Sequence, residues 1–143
     1  MDIHLGSDHA GFELKQELKN YLAEKGHHVV DHGCYTDERA DYPDFAHKVA
    51  VAVLNDKDSL GILFCGSANG VAMAANRHKH IRAAVCWETE IAHLSRSHND
   101  ANVICLPTRF VAVELAKEMV DEFLKTPFEG GRHQRRVEKI ECV

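Results

Sequence analysis

The sequence predicts an α/β domain of three-layer α/β/α, Rossmann-like type, with a five-stranded parallel sheet and a C-terminal helical tail. Three observations lead there. Short apolar runs of strand length alternate along the chain with longer stretches of helical periodicity. The run Leu60-Gly61-Ile62-Leu63-Phe64 is apolar throughout, as a strand buried on both faces must be. It then passes through a turn of small residues, Cys65 to Gly70, into a helical stretch that starts at Val71.

Residues 3–6 form the first expected strand, and Ser7 to Gly11 turn into a helix with Leu14, Leu18, Tyr21 and Leu22 on one face. Gly26 sits where a C′ glycine ends such a helix. His28 to Asp31 read as the second strand and residues 33–41 as a polar loop. Pro43 suits the first turn of the next helix, which carries Phe45, Val49, Val53 and Leu54. After the third strand and its helix come residues 81–86 as strand four, a short helix over 88–96, and residues 102–106 as strand five. Pro107-Thr108 then lead into a long amphipathic helix with Val111, Leu115, Met119, Val120 and Phe123 inward, stopped by Pro127. The expected organisation is one domain over 1–143. Residues 127–143 form an arm of low apolar content, either packed on a neighbouring subunit or a solvated terminal helix.

Composition narrows the function. The chain has 143 residues, 45% hydrophobic and 27% charged, which is enough for a single ordinary core. A net charge of -5 argues against a nucleic-acid partner. No apolar run approaches the ~20 residues of a membrane span, and the N-terminus does not read as a signal peptide. Five cysteines without CxxC spacing fit a reduced, cytoplasmic chain. Eleven histidines raise the question of metal, but no HExxH or paired Cys/His spacing answers it, so no metal site is expected.

In open parallel sheets ligands bind beyond the carboxyl ends of the strands. The residues expected there are Asp8 and His9, Tyr42, the Cys65–Gly70 turn and Arg109. Gly6 to Gly11 resembles GxGxxG, but Asp8 stands where the second glycine would let a pyrophosphate approach, so a dinucleotide site is disfavoured. Cys65 faces a helix N-terminus, which favours the thiolate; it is a nucleophile or base, or else a small buried hydrophobe. Ser67 caps the helix or donates to an oxyanion. Asp8 is an N-cap or a partner for a substrate hydroxyl. Arg132 and Arg136 share one helical face, as a solvated stripe or a phosphate clamp. His98-Asn99-Asp100 immediately precede strand five, and so belong at the opposite edge of the sheet. They would join the site only across a subunit interface or through the length of their loop.

The blocks GSDHAGFELK (6–15), DYPDFA (41–46), CGSANGVAMAANR (65–77), IRAAVC (81–86), HNDANV (98–103) and GGRHQRRV (130–137) together resemble the ribose-5-phosphate isomerase B family, whose members include galactose and allose 6-phosphate isomerases. The resemblance spans essentially the whole chain. It implies metal-independent, cofactor-free aldose–ketose isomerisation of a sugar phosphate through an enediolate. Cys65 would be the base that moves the proton between C2 and C1, and Ser67 an assisting hydroxyl. The backbone of Gly66, Ser67, Ala68, Asn69 and Gly70 would hold the enediolate. His98 would open the furanose ring, with Asp8 and Tyr42 beside the sugar. His9, Arg109, Arg132 and Arg136 would hold the phosphate, and Asn99 would contact substrate. Relatives without this cysteine carry a glutamate at the position of Val71. Family sites lie between two subunits, so the resemblance implies a homodimer, or a dimer of dimers, with shared sites. Many members have Gly-Thr-Gly-x-Gly after the cysteine. Here Ala68 is less permissive than glycine, while Asn69 tolerates left-handed geometry. Ribose 5-phosphate and ribulose 5-phosphate are the expected pair; another sugar phosphate, or a non-catalytic sugar-phosphate-binding module, are the alternatives.

Overall fold

The expected alternation is present in full in the computed structural model, which describes residues 1–142. The order is β1 (Asp2–Ser7), α1 (Phe12–Glu24), β2 (His28–Asp31), α2 (Tyr42–Asn55), β3 (Leu60–Cys65), α3 (Asn69–Ala75), β4 (Ala83–Val85), α4 (Thr89–Ser97), β5 (Val103–Pro107), α5 (Val113–Lys125) and α6 (Arg132–Glu138). All strand pairs are parallel, in the order β2-β1-β3-β5-β4. One face of the sheet packs through Ile3, Leu5, Ile62, Phe64, Ile104 and Leu106 against α1, α4 and α5. The other packs through Leu63, Cys65, Val103 and Cys105 against α2 and α3. Because β3 and β5 are covered on both sides, their runs are apolar without alternation, whereas β1 alternates and turns Asp2 and His4 to the α2 side.

Several boundaries shift by one or two residues from expectation, and two of the differences have clear local reasons. Strand β4 is three residues long rather than spanning 81–86. It is an edge strand, and the Asn102 side chain takes the Arg82 N–H at 2.8 Å, ahead of the backbone ladder. Helix α5 starts at Val113, so buried Val111 belongs to the preceding turn. That turn extends the β3–β5 pairing: Thr108 N–H donates to the Cys65 carbonyl at 2.9 Å and Arg109 N–H to the Gly66 carbonyl at 3.1 Å. The C-terminal arm folds back on its own chain, where Glu129 N–H donates to the Ser97 carbonyl at 3.0 Å.

The sheet changes direction between β1 and β3. From β1 the chain crosses outward to β2, and from β3 it proceeds toward β5 and β4. The crevice beyond the carboxyl ends of those two strands is where this architecture takes ligands.

Candidate active site

Strand register builds the centre of the site. Ser7 pairs with Phe64, so the next residues on each strand, Asp8 and Cys65, emerge side by side. Cys65 Sγ donates to Asp8 Oδ2 at 3.3 Å, and Asp8 Oδ1 accepts the Gly11 N–H at 3.0 Å. Asp8 therefore closes the β1–α1 turn and holds the thiol at once; the N-cap of α1 is Gly11. That turn lies directly on the end of β3: a Cβ on Gly11 would come within 2.3 Å of the Phe64 carbonyl.

The state of the thiol corrects the expectation from sequence. Burial, followed by the charge and hydrogen bond of Asp8, pushes the Cys65 thiol above its ordinary range. Backbone N–H groups of Ala68 and Gly66 pull the other way and are outweighed. Helix α3 has only two turns, so its dipole is weak beside a carboxylate in direct contact. The balance favours the neutral thiol over the thiolate.

The 66–70 loop curls over this pair. Ala68, rather than Asn69, takes the left-handed conformation, at φ 65°, while remaining fully buried. Ser67 and Asn69 point outward, and the Asn69 N–H reaches Ser67 Oγ at 3.4 Å. A Cβ on Gly70 would meet the Tyr42 ring at 2.5 Å, so Tyr42 at the start of α2 walls one side of the loop. The Arg109 guanidinium lies over Gly66 and walls the other. His9 follows Asp8, and its Nδ1 lies 3.2 Å from the Ala40 N–H. The same nitrogen lies 3.3 Å from the Ala40 carbonyl, so Nδ1 faces both backbone groups of that residue. A groove of about 560 Å³ is lined by Ala10, Phe12, Thr108 and Val111 among others. It flanks the Cys65 corner without enclosing it, and the hydrogen-bonded chemistry outranks it as the site.

His98, Asn99, Arg132 and Arg136 are elsewhere. His98 follows the last residue of α4, at the amino-terminal edge of the sheet. There it stacks on His133 of α6, with ring centroids 4.1 Å apart, and Glu129 lies 3.6 Å from His98 Nε2. Arg132 and Arg136 project from the exposed face of α6, and Asn99, next to His98 in sequence, is exposed. His133 was not among the expected site residues. Burial, then the charges of His98 and Arg132, push its imidazole below the ordinary range. Its only sequence signal is its place inside the GGRHQRRV block. Val71 is buried in the core and offers no acid or base.

Comparison with known proteins decides the family. The Ribose/Galactose Isomerase model matches residues 3–140. This chain belongs to the ribose/galactose isomerase family. It is 48% identical to the ribose-5-phosphate isomerase B of Escherichia coli over 141 residues, which is 99% of this chain and 95% of that protein. The crystal structure of a Thermotoga maritima ribose 5-phosphate isomerase matches with a TM-score of 0.97 at 52% identity, covering 99% of this chain and 98% of that one. The Mycoplasma genitalium ribose-5-phosphate isomerase B, solved with bound ribulose-5-phosphate, matches with a TM-score of 0.93 at 48% identity, covering 97% and 93%. No described helix of this isomerase-family chain is long and apolar enough to cross a membrane.

Proposed function

We propose that this chain interconverts ribose 5-phosphate and ribulose 5-phosphate through an enediolate, with Cys65 as the base. The observation that carries the reading is the Cys65–Asp8 pair at the β1/β3 switch point, roofed by the 66–70 backbone, in a chain whose relative binds ribulose-5-phosphate. The C2 proton of a sugar aldehyde is weakly acidic. A base alone lowers its barrier by a factor of ~10²–10⁴. Backbone donors aimed at the developing oxyanion contribute roughly 3–4 kcal/mol each. In the proposed sequence the furanose opens first, with His98 protonating the ring oxygen while the anomeric hydroxyl gives up its proton to water. Cys65 passes its thiol proton to Asp8, 3.3 Å away, and the thiolate so formed removes the C2 proton; the C1 carbonyl becomes an enediolate oxygen held by N–H groups of the 66–70 loop. Proton return from Cys65 to C1 yields the ketose, with Ser67 moving the hydroxyl proton between the two oxygens. Asp8 and Tyr42 flank the sugar; His9 and Arg109 take the phosphate together with Arg132 and Arg136, and Asn99 contacts the substrate.

His98, Arg132 and Arg136 lie at the wrong edge of the sheet to reach Cys65 in one chain. We therefore propose a homodimer in which each site takes Cys65 from one subunit and His98 with its neighbours from the other. The domain would then work as one unit over 1–143, its arm over 127–143 bridging α4 and the partner. All five cysteines are free, which supports a reducing, cytoplasmic setting. Ala68 in the loop favours a second reading in which another sugar phosphate is preferred, since a buried residue with a Cβ held at φ 65° sets the course of the backbone that would face the substrate. Comparing kcat/KM across ribose, allose and galactose phosphates separates the two readings. Solvent exchange of the C2 proton separates both from a protein that only binds sugar phosphate, because binding alone leaves that proton in place.

A further inference from the structure

At the amino-terminal edge of the sheet, Asp2 and His4 project from β1 on the α2 side, and Asp56 follows α2. One ring nitrogen of His4 and one carboxylate oxygen from each aspartate lie within 4.8 Å of one another. His4 is 7% exposed, and its Nε2 is buried without any hydrogen-bond partner. Its Nδ1 is 2.9 Å from His32 Nε2. One proton serves that contact; when it sits on His4 Nδ1, His4 Nε2 presents a bare lone pair. A ligating histidine usually donates its other ring N–H to a carboxylate, carbonyl or water that fixes its tautomer; here the His32 ring nitrogen occupies that place. Asp2 has a comparable support: His28 Nδ1 lies 2.8 Å from its Oδ1.

We propose that Asp2, His4 and Asp56 bind a divalent transition cation of borderline softness, Zn²⁺ being the type, with water completing the coordination. The donor set selects the ion. An imidazole with two carboxylates suits Zn²⁺ and its neighbours, whereas Mg²⁺ prefers oxygen alone. Asp2 and Asp56 bring the negative charge that a dication needs and are both half-exposed, so the ion has an entry path. The ion would pin the start of β1 to the turn after α2. Residue 3 pairs with Leu60, and Cys65 lies at the far end of the same strand. That separation is roughly 15–20 Å at the rise of a β-strand, so the cation stands apart from the isomerase chemistry.

The test uses the full chain, freed of metal, with Zn²⁺ alone as titrant. One Zn²⁺ per chain should bind and raise the unfolding temperature, and Mg²⁺ at the same concentration should not. The Asp2→Asn/Asp56→Asn variant keeps the acceptor oxygens used by His28 and by the Asp58 N–H but lacks both charges. It should weaken binding at least about tenfold while isomerase turnover stays at the wild-type level, which also reports that it is folded. Glu129→Gln alters the other cluster of metal-type ligands, His98, Glu129 and His133, and should leave the high-affinity event in place. His4→Gln should behave like the double aspartate variant. Absence of stoichiometric Zn²⁺ binding, or binding that survives Asp2→Asn/Asp56→Asn unchanged, overturns the proposal; the first result would leave a water molecule as the partner of His4.

Discussion

The two ends of the sheet that hold the expected chemistry are built differently. At the carboxyl end, Asp8 and Cys65 are set by strand register and lie almost wholly out of solvent. The loop over them is clasped by Tyr42 and Arg109. At the amino end, His98, His133 and Glu129 come from a helix terminus and a folded-back arm, and the two arginines beside them are exposed. Rigid strand ends suit a proton transfer that tolerates little misplacement. An exposed, basic helix suits capture of a phosphate by long side chains that reach across a boundary. The contrast supports a division of labour in which one chain carries two unlike halves of a site and a dimer joins them.

The sharpest way to break that division is to damage each half separately. Cys65→Ala should lower kcat by ~10²–10⁴-fold, the contribution of a positioned base, and leave KM for ribose 5-phosphate nearly unchanged in steady-state assays. Turnover within a few-fold of wild type would remove Cys65 from the chemistry. Mixing is the next test. Cys65→Ala and His98→Asn chains, unfolded together and refolded at equal amounts, form mixed dimers with one intact site and one site lacking both groups. Activity should recover to about a quarter of the wild-type value for random pairing. Recovery no higher than the mean of the two parents would place both residues in the same chain's site.

Much of this was legible in advance, and the misses have physical causes. Alternating apolar runs identify the parallel sheet because burial on both faces removes the alternation, and helical spacing identifies α1, α2 and α5. The location of Asp8, Tyr42, Arg109 and the 66–70 loop at one end of the sheet, and of His98 at the other, also followed from chain order. The resting state of Cys65 did not, because the β1–β3 register that puts a carboxylate 3.3 Å from the sulfur is a long-range fact with no local signature. His133 was passed over for a similar reason: its value comes from stacking on a residue in another helix. The same holds for buried Lys15, whose Nζ meets Asp31 Oδ1 at 2.6 Å and the Cys34 carbonyl at 2.7 Å. Periodicity marked neither partner as internal.

That ion pair separates stability from chemistry at the carboxyl end. Burial alone would raise the Asp31 carboxyl, but Lys15, the Gly33 N–H and Lys19 together hold it below the usual carboxylate range. A carboxyl depressed by folding adds stability above its unfolded pKa and loses it as pH falls through the folded one. Acid should therefore weaken the fold below the ordinary aspartate range. Asp31→Ala should cost about 3–5 kcal/mol at neutral pH by leaving Lys15 buried without its counter-charge, read as a shift in the urea midpoint. A loss under ~1 kcal/mol would mean that Lys15 finds water and that the pair contributes little.

Smaller in free energy, but closer to the reaction, is the tuning of the thiol by Asp8. A raised thiol pKa means that the thiolate fraction, and with it kcat/KM, should climb as pH rises toward the alkaline limb. Asp8→Asn removes the charge that opposes thiolate formation, so the Cys65 titration, followed by its alkylation rate, should move to lower pH. An unchanged titration would leave burial as the sole cause.

The smallest expected effect concerns the loop that joins the two strand ends to α3. Ala68 is buried at φ 65° and ψ -2°, a conformation that costs a residue with a Cβ about 1–2 kcal/mol. Part of that cost is offset where the methyl packs against the α2–α3 core. Ala68→Gly relieves the strain while enlarging the freedom of the unfolded chain, and the two act in opposite directions. The net change should therefore stay within about 1 kcal/mol in thermal unfolding. Its value lies in the second readout. If the methyl shapes the surface facing the sugar, the glycine variant should change the ratio of kcat/KM between ribose and hexose phosphates while stability barely moves. An unchanged ratio would assign Ala68 to the loop's backbone alone, and would leave the walls at Tyr42 and Arg109 as the source of sugar preference.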